Sequence, residues 1–191
     1  MRQKNSILKY IRQGMFRTAI IISFLVLLTA VGCAQDNQKT GPEIQTQVKI
    51  EKASDHFAWK SLSDAMQLAK ENQKKVLVYA NASWCTYCKK MEKEVFTKDD
   101  IQKLTSDYFY PVWIDIESED SLTFRGRKMT EMIFSRSLRV TGTPTFIFFD
   151  EEGDIISGQP GYIPQDVYAQ ILRYVGTDAY EDQSFQEFTV N

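Results

Sequence analysis

The sequence predicts an α/β domain in which a central mixed β-sheet is flanked by helices on both faces. Three short apolar runs, at residues 76–80, 110–116 and 145–149, have the length and composition of buried strands. Segments whose apolar residues recur three and four positions apart lie between these runs and predict helices. A turn at residues 150–154 and the apolar stretch after it predict a closing antiparallel hairpin. Parallel strands joined by helices and followed by a hairpin form a mixed sheet.

The first helix is predicted to begin at Ser61, because serine caps helices well and Asp64 follows three positions later. Its apolar residues fall on one helical face, and Lys74-Lys75 is expected to end it. The remaining predicted elements are, in order, a strand at 76–80, helices at 88–96 and 99–106, a strand at 110–116, a loop at 117–127, a helix at 129–138, strands at 145–149 and 155–158, and a helix from about 163 to 176.

Composition and turn residues set the boundaries of the later elements. Residues 117–127 are polar and charged, so we predict a loop there. Pro164 suits the first position of the last helix, where an N–H would lack a partner in any case. Gly176 is expected to end that helix. The acidic tail at 177–191 contains aromatic residues that we expect to pack against the domain.

The N-terminus predicts export. Residues 1–32 carry five basic residues and no acidic ones, and their apolar run is short for the roughly 20 residues of a bilayer span. The stretch Ala30-Val31-Gly32-Cys33 resembles the lipobox of bacterial lipoproteins, although those proteins more often have leucine at the position of Ala30. The resemblance implies that Cys33 is lipidated and becomes the mature N-terminus. An uncleaved signal anchor is the alternative.

This interpretation divides the chain into four parts. They are a signal peptide of lipoprotein type at 1–32, a flexible polar tether at 33–55, a folded domain at 56–176 and a C-terminal tail at 177–191. After residue 32 the chain has 18 basic against 25 acidic residues, with no basic stripe. The charge therefore gives no reason to expect nucleic acid as a partner.

The candidate catalytic residues are Cys85 and Cys88, which lie between the strand at 76–80 and the helix that follows. A C-x-x-C motif in this position indicates redox chemistry. We expect Cys85 at the exposed start of the helix, where free N–H groups and the helix dipole favour the thiolate that attacks disulfides. Cys88 lies one turn further on, within reach of a disulfide with Cys85 and on the face of the apolar Met91 and Val95.

Two motifs together resemble the thioredoxin-fold family over residues 54–176. The first is Trp84-Cys85-Thr86-Tyr87-Cys88-Lys89, and the second, about 55 residues later, is Gly142-Thr143-Pro144-Thr145-Phe146. With Pro160-Gly161-Tyr162, the chain is similar to exported thioredoxins of the SoxW type. It is also similar to the thioredoxin-like domain of membrane thiol:disulfide interchange proteins. The resemblance implies a thioredoxin fold for the domain at 56–176.

The resemblance also implies a substrate-binding surface. Pro144 would follow a cis peptide bond and face the cysteine pair. Thr143 would offer its backbone to an extended substrate peptide, in the manner of strand pairing at a short edge. Trp84 and Tyr87 are expected to contact the substrate, although plain packing is the alternative for Trp84.

The chain departs from the family at the buried acid. Thioredoxins commonly bury an acidic residue six positions before the first cysteine, and here that residue is Tyr79. Glu92 lies one helical turn after Cys88, but we expect it to be solvated. The sequence therefore assigns no base to Cys88.

These observations predict an exported, membrane-anchored thiol:disulfide oxidoreductase that reduces protein disulfides and is itself reduced by a thiol donor in the membrane or envelope. It needs no metal or organic cofactor. An oxidase or isomerase remains open, because the direction follows the reduction potential, which spans about −270 to −120 mV in this fold. Copper(I) delivery by two thiolates and a purely structural disulfide also remain open. A zinc site would need ligands from a second chain.

Overall fold

The structure, a computed structural model, describes residues 55–190. The predicted signal peptide, the tether up to residue 54 and Cys33 lie outside the described residues. The elements are, in order, α1 (Leu62–Asn72), β1 (Lys75–Asn81), α2 (Thr86–Glu94), α3 (Asp99–Tyr108), β2 (Phe109–Asp115), β3 (Ser121–Phe124), β4 (Arg127–Thr130), α4 (Glu131–Ser137), β5 (Thr145–Phe149), β6 (Ile155–Pro160), α5 (Gln165–Gly176), a 3-10 helix (Ala179–Glu181) and α6 (Phe185–Val190). None of these helices combines the length and apolar character that a bilayer span requires.

The central sheet is mixed, as predicted, with strand order β2-β1-β5-β6. β1 runs parallel to β2, and its last residue, Asn81, pairs with Asp115. β5 runs antiparallel to β1, so that Thr145 at its start pairs with Ala80 near the end of β1. The end of β1, the end of β2 and the start of β5 therefore lie together. We call this the Asn81 end of the sheet, and the opposite end, where β1 begins, the Lys75 end.

Helices cover both faces of the sheet, which confirms the predicted architecture. Successive residues of a strand point to opposite faces. Leu77 and Tyr79 of β1 join a core with α2, α3 and α5, whereas Val76 and Val78 join a second core with α1 and α4. Burying an aliphatic or aromatic side chain of this size is worth about 1.5–3 kcal/mol. The apolar run of β1 is continuous because both of its faces are buried.

The loop predicted at 117–127 is wrong in its second half, where β3 and β4 form a separate two-stranded hairpin. Arg125 and Gly126 form its turn, both with positive φ (51° and 75°), as two-residue hairpins favour. Leu122 and Phe124 alternate with exposed residues and pack against the α1–α4 core. The following helix consequently begins at Glu131 rather than 129. Charged residues at and just after the turn concealed this short alternation.

The observed end of α1 differs from the predicted one, whereas the last helix ends where the sequence predicts. α1 begins at the predicted serine cap, since the Asp64 N–H donates to Ser61 Oγ at 3.1 Å, but it ends at Asn72. Lys75 does not end this helix; it is the buried first residue of β1. The last helix ends at Gly176, and glycine is needed at this position because a Cβ there would lie 2.5 Å from Cγ of Tyr108.

The tail packs against the domain, as expected. The ring of Tyr174 in α5 contacts Tyr180, Phe185 and Phe188, with centroids 6.5, 5.3 and 5.3 Å away. Its hydroxyl donates to the carbonyl of Gln183 at 2.6 Å. The tail therefore folds back onto the last helix of the domain.

Candidate active site

The cysteine motif lies at the Asn81 end of the sheet, where β1 leads into α2. The buried Asn81 side chain donates to the carbonyl of Ile114 at 2.9 Å, which ties the end of β1 to β2. In the turn that follows, the Cys85 N–H donates to the carbonyl of Ala82 at 3.0 Å. Cys85 then caps α2, and its Sγ accepts from the Cys88 N–H at 3.0 Å. The structure thus places Cys85 at a helix N-terminus, as the sequence predicts.

Cys85 and Cys88 form a disulfide with Cα atoms 5.2 Å apart. Each residue is only 2% exposed. The expectation of an exposed Cys85 is wrong for this oxidised form, because Cys85 packs into the same core as Ala82 and Met91. The two cysteines differ in helix position instead: Cys85 is the cap, whereas Cys88 lies within the first turn.

Trp84 precedes Cys85 and Tyr87 lies between the two cysteines; both side chains face solvent, with 59% and 61% of their surfaces exposed. Core packing does not account for side chains that are this exposed. Aromatic rings beside a buried disulfide provide contact surface for an approaching polypeptide. Their role in substrate binding stays a prediction.

Thr143 and Pro144 directly precede β5, so they lie at the same end of the sheet as the cysteines. The peptide bond between them is cis, as the resemblance implies. Pro144 is buried, and its carbonyl accepts from the Gly161 N–H at 2.8 Å. Oγ1 of Thr143 is also buried and has no hydrogen-bond partner among the described residues. The fold therefore brings the two sequence motifs together at one end of the sheet.

Tyr79 and Glu92 form a polar pair beside the core that contains the cysteines. The Tyr79 side chain is fully buried, and its hydroxyl donates to Glu92 Oε1 at 3.3 Å. The expectation that Glu92 is solvated is therefore wrong, and its carboxylate is half-buried. The tyrosine in the predicted buried strand could have indicated a polar pair, because a buried tyrosine hydroxyl generally finds a hydrogen-bond partner.

Burial sets the ionisation of this pair. Burial raises the pKa of Tyr79 far above its ordinary value, and the neighbouring Glu92 carboxylate raises it further. The phenol stays protonated at physiological pH and acts as a donor. Burial also raises the pKa of Glu92, while the hydrogen bond from Tyr79 and the charge of Lys89 oppose that change. Glu92 consequently holds a proton more readily than a solvated carboxyl would.

Tyr162 is a residue of the site region that sequence analysis did not single out. It follows β6, and its ring lies 6.4 Å from that of Tyr87. Its hydroxyl donates to the Glu94 carboxylate at 3.0 Å. A single tyrosine in a loop belongs to no periodic sequence pattern, so its place in Pro160-Gly161-Tyr162 was the signal that pointed to a role.

The chemistry available at the site is that of two adjacent sulfurs. Within residues 55–190, no group of three or more His, Cys, Asp or Glu side chains is arranged to hold a metal ion. The Cys85–Cys88 bond can be opened to a dithiol and closed again. The oxidised state is the one in the structure.

A C-x-x-C disulfide at the start of a helix, next to a cis-proline segment, defines a thioredoxin-fold thiol:disulfide oxidoreductase. The profile of the thioredoxin-like domain family matches residues 62–176. The chain belongs to this family.

The relatives and neighbours agree with this assignment. The thiol:disulfide interchange protein DsbD of Yersinia enterocolitica is 27% identical over 147 residues, which cover 75% of this chain and 23% of that protein. The chain thus spans about a quarter of that relative's length. A thioredoxin-fold protein from Helicobacter pylori superposes with a TM-score of 0.57 and 22% identity, covering 62% of this chain and 79% of the other. DsbH oxidoreductase superposes with a TM-score of 0.54 and 19% identity, covering 76% of this chain and 95% of the other. These structural likenesses show the fold.

Proposed function

We propose that this protein reduces disulfides in exported proteins, with Cys85 as the attacking thiolate and Cys88 as the resolving thiol. The observation that carries the proposal is the position of Cys85 at the N-terminus of α2, where its sulfur accepts the Cys88 N–H at 3.0 Å. A helix N-terminus stabilises negative charge on such a sulfur. Cys88 is the thiol within bonding distance of Cys85.

The cycle begins with the reduced protein. The Cys85 thiolate attacks one sulfur of the substrate disulfide, forms a mixed disulfide and releases the other sulfur as a thiolate. Cys88 then loses its proton and attacks Cys85 Sγ. This step breaks the mixed disulfide, releases the second substrate thiolate and closes the Cys85–Cys88 bond. Two electrons pass to the substrate, and a dithiol donor in the membrane or envelope returns them to the protein.

The proton of Cys88 needs an acceptor during resolution. Tyr79 does not serve, because its buried phenol is already protonated. Glu92 lies four residues after Cys88, and residues at this spacing are neighbours on a helix surface. Water is the other available acceptor, and we assign neither.

The substrate-binding surface of the proposal comprises Trp84, Tyr87, Thr143 and Pro144. One exposed aromatic ring directly precedes the motif and the other lies within it, and the cis-proline segment lies at the same end of the sheet. An extended peptide would pair with the backbone of Thr143, while the rings contact its side chains. No histidine lies between the cysteines, so the strongly oxidising variant of this fold has little support.

Trapping experiments test the roles of the cysteines. Cys88→Ser should accumulate a mixed disulfide with a protein substrate through Cys85, whereas Cys85→Ser should trap little. Iodoacetamide should label Cys85 first in the reduced wild-type protein. Trapping by Cys85→Ser alone would reverse the roles. If neither variant lost exchange activity, the redox proposal would fail.

The direction of the reaction depends on the reduction potential of the Cys85–Cys88 pair. Equilibration with glutathione buffers measures it. A value near the −270 mV of thioredoxin would support reduction, and one near −120 mV would favour the oxidase alternative.

The proposal includes export and anchoring through a lipidated Cys33. Its support is the sequence of residues 1–33. Intact-mass analysis of the native protein should show a chain that begins at Cys33 with added lipid, and Cys33→Ser should leave the membrane or stay unprocessed. A native mass that includes residues 1–32 would contradict the anchor without touching the redox chemistry.

A further inference from the structure

The loop between β6 and α5 borders the candidate active site and is fixed by its own main chain. The Gly161 N–H donates to the carbonyl of Pro144 at 2.8 Å, and the Ile163 N–H donates to Met91 Sδ at 3.4 Å. Gly161 has φ 92°, a left-handed conformation that glycine adopts readily. The loop is thus tied to the cis-proline segment on one side and to α2 on the other. Neither anchor uses the side chain of Tyr162.

The Tyr162 side chain contacts three residues of α2. Its ring lies 6.4 Å from Tyr87, the Lys90 ammonium lies 4.3 Å from its ring centroid, and its hydroxyl donates to Glu94 at 3.0 Å. Lys90 also pairs with Glu94 at 3.8 Å. These polar groups satisfy one another and hold the ring of Tyr162 next to that of Tyr87. We call Tyr87 and Tyr162 the aromatic wall.

The aromatic wall borders the disulfide, because Tyr87 lies between the two cysteines in sequence. Tyr87 is largely exposed, and Tyr162 packs against the edge of the core that holds the cysteines but remains partly exposed. Both rings therefore present surface to an approaching polypeptide. Tyrosine offers a large, rigid contact surface at low cost in conformational entropy. A polypeptide on either side of a substrate disulfide is long enough to use this surface, whereas a small disulfide is not.

We propose that Tyr162 is a specificity-determining residue, which together with Tyr87 holds the polypeptide around a substrate disulfide against the cysteine pair. This inference rests on the proposed thiol:disulfide exchange. It assigns a preference for disulfides in polypeptides over small-molecule disulfides.

The test compares two disulfides, insulin and 2-hydroxyethyl disulfide, with the full-length protein and dithiothreitol as reductant. Tyr162→Ala should lower kcat/KM for insulin about tenfold, mainly through KM, as the loss of one well-packed contact does. Its rate with 2-hydroxyethyl disulfide should stay within about twofold of wild type. Tyr162→Phe keeps the ring and loses the hydrogen bond to Glu94. Tyr162→Phe should therefore reduce insulin within about twofold of wild type, which separates the contribution of the aromatic wall from that of the hydrogen bond to Glu94.

Tyr110→Ala is the matched control. Tyr110 is also partly buried beneath a lysine, with Lys74 Nζ 5.6 Å from its ring, but it pairs with Val76 near the Lys75 end. Tyr110→Ala should change neither the rate of insulin reduction nor the rate with 2-hydroxyethyl disulfide.

Three outcomes overturn the inference. The first is that Tyr162→Ala reduces insulin as fast as wild type does. The second is that the rates with insulin and with 2-hydroxyethyl disulfide fall by the same factor. The third is that the reduction potential of the Cys85–Cys88 pair shifts enough to explain the slower reduction of insulin. A wild-type protein that reduced neither substrate would instead overturn the proposed function itself. If Tyr162→Ala does not fold, Tyr162→Leu gives the same comparison with a bulkier apolar side chain.

Discussion

Glu92 shows how one side chain couples the site to stability. Burial raises its pKa more than the Tyr79 hydrogen bond and the charge of Lys89 lower it. A carboxyl whose pKa is higher in the folded than in the unfolded state binds its proton more tightly when folded. Its contribution to stability is therefore complete below the unfolded pKa of about 4.3, and it is lost as the pH rises through the folded pKa.

Replacing Glu92 with glutamine should remove this pH dependence. Glu92→Gln keeps an oxygen that can accept from Tyr79, but it never ionises. We expect the variant to unfold about 2 °C above wild type at pH 7 and to match it near pH 4. Thermal unfolding at both values measures the difference.

Glu119→Gln is the control for this prediction, because Glu119 is exposed in the loop after β2. Its unfolding temperature should follow that of wild type at both pH values. A Glu92→Gln variant that is less stable than wild type at pH 7 would show that the charged hydrogen bond outweighs the cost of burial.

At the scale of elements, Gly176 fixes the packing of α5 against α3. A Cβ at this position would lie 2.5 Å from Cγ and 2.7 Å from Cβ of Tyr108. Rotating the tyrosine side chain does not move its own Cβ, so the two helices would have to separate. Overpacking of this kind costs about 1–3 kcal/mol, against about 1 kcal/mol gained from the helix propensity of alanine.

Gly176→Ala should therefore lower the free energy of unfolding in urea by up to about 2 kcal/mol. Gly142→Ala is the matched control, since a Cβ there meets nothing within 4 Å. In the Tyr108→Ala background, Gly176→Ala should cost less than it does in the wild-type protein, because the contact with Cγ and the ring is gone. Equal stability of Gly176→Ala and wild type would mean that the helices shift without cost.

The elements that the sequence predicts well are those whose signal is local. The strand at 145–149 is continuous in apolar residues and is observed with the same bounds, because it is buried on both faces. The serine cap of α1 and the C-x-x-C motif are equally local. The hairpin of β3 and β4 was missed because its two strands have only four residues each and charged residues lie at and just after its turn.

The parts of the site that could not be predicted depend on contacts between distant segments. Tyr79 and Glu92 are 13 residues apart, and Tyr162 and Glu94 are 68 apart. No periodicity in the chain encodes either pair. The roles of Cys85 and Cys88 in catalysis stay predictions, whereas their proximity is observed.

At the scale of the whole molecule, the two ends of the sheet are built differently. The Asn81 end carries the disulfide and the cis-proline segment. At the Lys75 end, the buried ammonium of Lys75 pairs with Asp178 at 2.7 Å and Glu151 at 3.5 Å. These contacts join the start of β1, the turn before β6 and the tail after α5. Burial alone would lower the pKa of Lys75, but the two carboxylates outweigh it and the pKa is raised.

Asp178→Asn should separate stability from redox chemistry. Asparagine tolerates the left-handed conformation of this residue (φ 60°), so the change removes the charge opposite Lys75 and leaves the backbone in place. A buried group that loses its partner costs roughly 1–3 kcal/mol, and the half-exposed position of Asp178 favours the lower part of that range. Urea unfolding measures this loss.

Insulin reduction by Asp178→Asn should stay within about twofold of wild type, because the altered charge lies at the end of the sheet opposite the cysteines. Glu152→Gln is the control, since Glu152 lies in the same turn as Glu151 but pairs with Lys70 at the surface, where ion pairs contribute little. It should change neither stability nor rate. A slower Asp178→Asn enzyme with unchanged stability would show that the tail communicates with the site. The division of the molecule into a structural end and a reactive end would then be wrong.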